Sequence, residues 1–140
     1  MAPTTPMPTL LIADDDLGLR TALREVFEPR GFQTILAENG SHALEILNSH
    51  MVDCLLLDVH MPIMTGVETL QIARQRRVQL PCVMITADPN KEVLSEAVSL
   101  RAFTVLCKPF KMTVVIRAVK QAMETQKSPE NGMIWPFPEQ

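Results

Sequence analysis

Short apolar runs alternate with amphipathic, helix-like patterns five times along the chain. An apolar run of about four to eight residues bounded by turn residues is typical of a buried strand, whereas apolar positions three and four residues apart indicate a helix. The predicted strands are Thr9–Ala13, Phe32–Ala37, Asp53–Leu57, Pro81–Ala87 and Thr104–Cys107. The predicted helices are Leu17–Glu28, Ser41–Ser49, a third that follows a loop with Pro62 and Gly66 and runs to Arg77, Pro89–Leu100, and a last one that begins near Lys111.

Each predicted strand is followed by one predicted helix, so the chain repeats a strand–helix unit. Right-handed crossovers between such units produce a parallel sheet that helices cover on both faces. We therefore predict an α/β, doubly wound fold with a five-stranded parallel sheet and five flanking helices. In such open sheets, ligands bind beyond the carboxyl ends of the strands, where the strand order reverses.

Carboxylates lie at the ends of two of these strands. Asp14, Asp15 and Asp16 follow the first apolar run, and Asp58 closes the third. If the two strands are neighbours, as in the strand order 2-1-3-4-5, at least three carboxylates converge on one point. Like charges that close raise each other's pKa unless a cation joins them. The pattern therefore predicts a small metal site with oxygen ligands, with Asp16 capping the first helix instead.

Composition limits the classes of protein to which the chain can belong. At 140 residues, with 46% hydrophobic and 21% charged residues, it fits one domain with its own core. A net charge of −3 and the lack of a basic stripe predict no direct nucleic-acid binding. We find no signal peptide and no segment for membrane insertion. Cys54, Cys82 and Cys107 lie in or beside apolar runs and are interpreted as reduced core residues, which indicates a cytoplasmic location.

We divide the chain into an N-terminal extension (residues 1–8), one folded domain (residues 9–125) and a Pro-rich C-terminal tail (residues 126–140). The tail has no helical or strand period. It is predicted to be extended, and either docked through Trp135 or Phe137 or disordered. Because the tail is too short to form another domain, either the protein acts as a single domain or the sequence is the N-terminal part of a longer protein, in which the tail begins a linker.

Four separated motifs give the chain a specific resemblance to a known family. They are Asp14-Asp15 after the first strand, Asp58-Val59-His60-Met61-Pro62 with Gly66 after the third, Thr86-Ala87 after the fourth and Lys108-Pro109-Phe110 after the fifth. With these motifs in this order, the chain resembles the receiver domain of bacterial response regulators over about residues 8–125. The resemblance is to single-domain, chemotaxis-regulator-like members, and it implies a flavodoxin-like sheet with the order 2-1-3-4-5.

The resemblance implies a role for each residue of the acidic motifs. Asp58 is the implied phosphoacceptor. Asp15, Asp58 and the main-chain carbonyl of His60 would coordinate a divalent cation directly, and Asp14 would act through a bound water. Mg²⁺ suits such a site because it prefers octahedral oxygen ligands and keeps several waters, and Mn²⁺ is a plausible substitute.

The other two motifs are implied to handle the phosphoryl group. Lys108 would reach Asp58 and later a phosphoryl oxygen, and the resemblance implies a cis Lys108–Pro109 bond that turns the side chain inward. Thr86 would donate a hydrogen bond to a phosphoryl oxygen, aided by the backbone N–H of Ala87. Taken singly, these residues have plainer interpretations: a strand-end cap for Asp58, a solvated lysine, and a β-branched strand residue for Thr86.

Three positions depart from the family pattern or tune it. The family commonly has an aromatic residue three positions before the lysine, where this chain has Val105. Strand alternation would place Phe103 on the same side as Val105, but we do not expect Phe103 to substitute for the aromatic residue. His60 and Asp88 match the positions that flank the phosphoryl group and tune its lifetime. Because position 105 holds a valine instead of an aromatic residue, we expect only a modest conformational response.

The implied function is a phosphorylation-dependent switch of a two-component system. A sensor histidine kinase would phosphorylate Asp58, and the face formed by the fourth helix, fifth strand and fifth helix would change its affinity for a downstream protein. The chain would not be an enzyme, although it would promote its own phosphorylation and dephosphorylation. Alternatively, it would be a relay that passes the phosphoryl group to a histidine phosphotransfer protein. Homodimers through the same face are possible, because Val114, Ala118 and Val119 make the fifth helix apolar over a wide arc.

Two functions on related architectures fit the residues less well. A phosphatase that forms an aspartyl phosphate normally needs a second acid two residues after the nucleophile, and this chain has His60 there. A flavin binder would need Ser, Thr or Gly donors in the loop after the first strand, where this chain has three acids.

Overall fold

The computed structural model describes residues 7–124 and 132–138. The strands in this part of the chain are β1 (Thr9–Ala13), β2 (Gln33–Ala37), β3 (Cys54–Asp58), β4 (Cys82–Thr86) and β5 (Thr104–Cys107). All pairs are parallel, and the strand order is β2-β1-β3-β4-β5. The predicted α/β fold and its strand order are therefore confirmed.

Five helices flank the sheet. They are α1 (Leu17–Phe27), α2 (Gly40–Ser49), α3 (Gly66–Arg74), α4 (Lys91–Ser99) and α5 (Met112–Glu124). A 3₁₀ turn follows α1 and ends at Gly31, whose φ of 91° lies in the left-handed region that glycine adopts without strain. Within the described residues, no helix combines the length and apolar character needed to cross a bilayer.

Several element boundaries differ from the prediction by one to three residues, among them the ends of β3 and α3. Asp58 is the last residue of β3 rather than the first residue after it. The third helix ends at Arg74 and not at Arg77. The amides of Gln75 and Arg76 bond to carbonyls three residues back, so the last turn tightens and the regular helix stops.

Polar side chains cap the start of four of the described helices, and the caps of α1 and α4 bear on the predictions. Asp16 accepts a hydrogen bond from the amide of Leu19, so its predicted capping role is confirmed. Asn90 accepts one from the amide of Val93, and α4 consequently starts after Asn90 rather than at Pro89. Both caps lie in loops that leave the carboxyl edge of the sheet, and they hold those loops in place.

The sheet separates two hydrophobic cores. Along β1, Leu11 and Ala13 face one core, whereas Leu10 and Ile12 face the other. The first core lies against α2, α3 and α4, and the second lies against α1 and α5. β3 and β4 are buried along their whole length, because helices cover both faces of the sheet.

The cysteines behave as core residues with one partial exception. Cys54 and Cys82 are buried, Cys107 is partly exposed, and all three are free thiols. Burial raises the pKa of Cys82 to about 12 and also raises the pKa of Cys54. Both buried thiols are therefore protonated and unreactive near neutral pH.

Residues 132–138, which we call the tail segment, pack on the β5 edge of the sheet. Ile134 pairs with Thr104 in a parallel bridge, and the Ile134 amide donates to the Phe103 carbonyl at 3.0 Å. Phe137 is buried, and its ring meets that of Phe103 edge-on with the centroids 6.1 Å apart. This part of the tail is therefore docked.

Phe137 is the buried anchor of the docked segment, whereas Trp135 is half-buried. The rest of the tail, residues 126–131 and 139–140, lies outside the described residues, as do residue 125 and residues 1–6 of the predicted N-terminal extension. The domain limits drawn from the sequence accordingly stay predictions.

Candidate functional site

The candidate site lies at the carboxyl edge of the sheet, where Asp58 ends β3 with only 2% of its surface exposed. Asp58 pairs in register with Ile85 of β4. Gly66 approaches this strand end closely: its N–H donates to the Val59 carbonyl at 2.8 Å, and a Cβ on it would lie 2.2 Å from the Asp58 carbonyl oxygen. Glycine is therefore required at position 66, and it holds the following loop against Asp58.

Asp14 and Asp15 follow β1, the neighbour of β3 in the sheet. Asp14 is fully buried and Asp15 is exposed. One carboxylate oxygen from each of Asp14, Asp15 and Asp58 lies within 4.8 Å of the others. The structure thus brings together the three carboxylates that the sequence predicted to converge.

Lys108 reaches this cluster from the end of β5. Its Nζ donates to Asp14 Oδ2 at 2.9 Å and to Asp58 Oδ2 at 3.3 Å. The Lys108–Pro109 bond is cis, as the family resemblance implied. The predicted contact with Asp58 is present, and the shorter contact with Asp14 is one that the sequence did not indicate.

The ammonium of Lys108 does not fully offset the charge of the neighbouring carboxylates. Burial and, after it, the neighbouring Asp14 carboxylate raise the pKa of Asp58 from 3.8 to about 6, although Lys108 and the His60 amide act in the opposite direction. Burial alone would lower the pKa of Lys108, but hydrogen bonds to and charges on Asp14 and Asp58 outweigh it, and the pKa is raised. A further cation would therefore favour the ionised form of Asp58.

The chemistry of this cluster fits a small divalent cation. Carboxylate oxygens are hard ligands of the kind that Mg²⁺ and Mn²⁺ bind, and the exposed position of Asp15 leaves one side open to water. Which of Asp14, Asp15 and Asp58 would bind such an ion directly stays a prediction. The role of the His60 main-chain carbonyl stays a prediction; the His60 amide donates to Asp58 Oδ1 at 3.3 Å.

Thr86 ends β4, one residue beyond the register partner of Asp58. It is buried, its Oγ1 accepts a hydrogen bond from the Asp88 amide at 3.0 Å, and its carbonyl accepts one from the Lys108 amide at 2.8 Å. Ala87 and Asp88 are exposed at the same edge. The predicted hydrogen bonds from Thr86 and Ala87 to a phosphoryl oxygen stay predictions.

Val105 and Phe103 lie on opposite sides of the sheet. Val105 is buried in the core that faces α2, α3 and α4, whereas Phe103 packs with the core that faces α1 and α5. The prediction that they share a side is wrong, because Phe103 precedes the first residue of β5 and strand alternation does not extend to it. Phe103 therefore cannot substitute for an aromatic side chain at position 105.

Arg20 is a site residue that the sequence reasoning missed. Its Nη1 donates to the main-chain carbonyl of Asp14 at 2.6 Å. The Asp16 amide donates to Asp14 Oδ1 at 2.9 Å, so the loop after β1 is held from both sides. The position of Arg20 in the first turn of α1, directly after the acidic motif, is the sequence signal that points to it.

The apolar arc of α5 is not a free surface. Val114, Ala118 and Val119 are all buried within the chain, in the core between α5 and the sheet. These three side chains therefore provide no surface for a homodimer, because an amphipathic helix turns its apolar side to its own core. A homodimer through the face of α4, β5 and α5 stays a prediction.

Comparison with known proteins identifies the family to which the chain belongs. The response regulator receiver domain matches residues 10–120. The chain is 36% identical over 112 residues to sporulation initiation phosphotransferase F of Bacillus subtilis, which covers 80% of this chain and 90% of that protein. It is also 36% identical over 132 residues to the transcriptional regulatory protein CpxR of Escherichia coli, covering 90% of this chain but 56% of CpxR.

Solved structures agree with this result. The chemotaxis protein CheY4 of Vibrio cholerae superposes with a TM-score of 0.79 at 25% identity, covering 83% of this chain and 98% of that one. A CheY-like receiver domain from Methanospirillum hungatei has a TM-score of 0.83 at 21% identity, with 86% and 97% of the two chains covered, which shows the shared fold. Sequence, fold and comparison together lead to one conclusion: the chain belongs to the family of response regulator receiver domains of two-component systems.

Proposed function

We propose that Asp58 accepts a phosphoryl group from a sensor histidine kinase and that the chain acts as a phosphorylation-dependent switch in the cytoplasm. Membership of the response regulator receiver family supports this role, and the relatives of the chain include a phosphotransferase and a transcriptional regulatory protein. The observation that carries the proposal is the contact of the buried Asp58 carboxylate with Lys108, next to the carboxylates of Asp14 and Asp15. A carboxylate that would attack phosphorus, an ammonium in contact with it and two carboxylates that would serve a cation meet at this point.

The transfer step depends on positioning, because a carboxylate is a weak nucleophile. An Asp58 carboxylate oxygen would form a bond to phosphorus while the bond from phosphorus to the donor histidine nitrogen breaks. Lys108, already 3.3 Å from Asp58 Oδ2, would donate to a phosphoryl oxygen. The Thr86 hydroxyl and the Ala87 N–H would donate to the others.

Receiver domains generally bind Mg²⁺, and the acidic cluster supports the same ion here, with Mn²⁺ as a substitute. Asp15, Asp58 and the His60 main-chain carbonyl would hold it directly, and Asp14 would act through a water. When bound, the ion supplies positive charge that offsets repulsion between the carboxylates and the incoming phosphoryl group.

The chain itself would promote both formation and hydrolysis of the aspartyl phosphate, without being an enzyme for a separate substrate. His60 and Asp88 are exposed on the two loops that flank Asp58, where they would tune the lifetime of the phosphoryl group. The signal would reach β5 directly, because Lys108 follows it and Thr86 pairs with Cys107. The response would be modest, with a downstream protein reading the surface formed by α4, β5 and α5.

A phosphorelay intermediate is the second candidate. The similarity to sporulation initiation phosphotransferase F, over 90% of that protein's length, favours it. In this role Asp58 would pass its phosphoryl group to a histidine phosphotransfer protein. The partial coverage of CpxR supports a third reading, in which the sequence is the N-terminal receiver of a larger regulator.

Labelling with acetyl phosphate and Mg²⁺ tests the assignment of Asp58. The chain should incorporate phosphate, Asp58→Asn should incorporate none, and Glu96→Gln, a change on the exposed side of α4, should behave as wild type. Full labelling of Asp58→Asn would refute the assignment.

Mixing the phosphorylated chain with a purified histidine phosphotransfer protein separates the switch from the phosphorelay intermediate, since only a relay transfers the label quickly.

A further inference from the structure

The tail segment joins the domain in the way that an additional strand would. β5 is an edge strand of the sheet, and an edge offers backbone groups that another strand can pair with. Ile134 pairs in parallel with Thr104, and its amide donates to the Phe103 carbonyl at 3.0 Å. The Thr104 hydroxyl in turn donates to the Ile134 carbonyl. The chain thus covers part of its own sheet edge.

Side chains of the tail segment alternate between the two faces of the sheet. Met133 and Trp135 pack against the core that faces α2, α3 and α4, whereas Ile134 packs against the core that faces α1 and α5. Phe137 is buried in the second core, edge-on to Phe103. Backbone pairing at an edge, with alternate side chains in pockets, is the way extended peptides bind to sheets.

The attachment of the tail segment is small. Phe137 is its one fully buried side chain among the residues described, while Pro136 and Pro138 are exposed and Trp135 is half-buried. Its backbone is held at Ile134. An attachment of this size indicates a segment that dissociates and returns, rather than a permanent part of the core.

The tail segment also forms one wall of a groove beside the site. Cys107, Pro109, Phe110, Lys111 and Val114 line the domain side of this space of about 550 Å³, and Trp135 and Pro136 line the other. The domain side includes the residues before and after Lys108. Departure of the tail segment would therefore open an apolar surface next to the loop that carries Lys108.

We propose that the β5 edge is a peptide-binding surface, which the chain occupies with its own tail segment as a reversible ligand. A competing ligand would be an extended segment with an aromatic side chain for the Phe137 pocket. Because the tail segment belongs to the same chain as the edge that it covers, its effective concentration there is on the order of millimolar. A free peptide at micromolar concentration consequently binds poorly until the tail segment is weakened.

A peptide with the sequence of residues 131–140 and a fluorescent label tests the proposal in the full chain. Ile134→Pro removes the amide that bonds to Phe103, and Phe137→Ala removes the buried ring. Binding of the peptide, measured by anisotropy, should be at least tenfold tighter to either variant than to wild type or to Pro138→Ala. The same peptide carrying Phe137→Ala should bind none of them.

Trp135 is the only tryptophan of the chain and reports docking directly. Its emission should shift to longer wavelength in Ile134→Pro and Phe137→Ala, with far-UV circular dichroism unchanged. Unchanged emission in Ile134→Pro, or a shift without any gain in peptide binding, would overturn the proposal. Because neither variant alters Asp58, phosphate labelling of both variants should persist, and the result is independent of the function proposed above.

Discussion

Asp14 and Asp58 are both buried at the end of the sheet, and Lys108 contacts each of them. The ammonium does not fully compensate for the carboxylates, since the pKa of Asp58 is still raised to about 6. The residue that is proposed to react is thus one whose charge is poorly accommodated without a metal ion. This arrangement ties the stability of the fold to the chemistry of the site.

With metal chelated, Asp58→Asn is expected to stabilise the fold near pH 8 by about 1–3 kcal/mol. The pKa of Asp58 rises from 3.8 to about 6 on folding, so folding favours the protonated form. That contribution is complete below pH 3.8 and is lost as the pH rises through about 6. Urea unfolding of both proteins across this range should show the difference in unfolding free energy widening with pH. A difference that does not vary with pH would contradict the explanation.

Gly66→Ala is expected to destabilise the fold by about 1–3 kcal/mol, because overpacking forces the backbone to move. The added Cβ would lie 2.2 Å from the Asp58 carbonyl oxygen, so we also expect slower phosphate labelling. Gly132→Ala is the matched control, since no atom lies within 4 Å of its added Cβ. Chemical denaturation compares the two variants, and equal stabilities would show that the close approach at Gly66 is relaxed in solution.

At the scale of the elements, continuous apolar runs such as β3 and β4 were predictable, because strands covered on both faces have no polar alternation. Element boundaries that depend on particular hydrogen bonds were harder to predict from the sequence. The end of α3 at Arg74 reflects tightened bonds in its last turn. The orientation of Phe103 was mispredicted because it lies just outside β5.

The start of α4 gives a prediction for one element. Asn90 accepts a hydrogen bond from the Val93 amide, so Asn90→Ala should lower the unfolding free energy by about 1 kcal/mol. Lys91→Ala, one residue further on and exposed, should change it by less than about 0.5 kcal/mol. Thermal or urea unfolding measures both. Equal changes in unfolding free energy for the two variants would mean that the Asn90 cap does not stabilise the start of α4.

At the scale of the whole molecule, strand order is what turns separate motifs into one site. The sequence predicted that Asp14, Asp15 and Asp58 converge, because parallel strands share one carboxyl edge. It did not predict that Lys108 lies closer to Asp14 than to Asp58, since that depends on side-chain positions within the site. Docking of the tail segment was one of two open outcomes, because a stretch without a period carries no signal for its partner surface.

Mg²⁺ is expected to stabilise the whole domain, because the proposed site exists in the folded chain and not in the unfolded one. At about 100 times its Kd the gain would be about 2.7 kcal/mol. Asp15→Asn should lose most of this gain, whereas Glu25→Gln on the exposed side of α1 should keep it. Thermal unfolding with Mg²⁺ and with a chelator measures the effect. Chelation should also stop phosphate labelling while the domain stays folded, and an undiminished Mg²⁺ effect in Asp15→Asn would contradict the proposed ligand set.

The most direct test of the central claim is to locate the phosphoryl group. Borohydride reduces an aspartyl phosphate to homoserine, which marks the residue that carried it, and peptide mass spectrometry identifies the position. After phosphorylation with Mg²⁺ and acetyl phosphate or a phosphorylated kinase, we predict homoserine at position 58. Homoserine at position 14, 15 or 88, with Asp58 intact, would contradict the account.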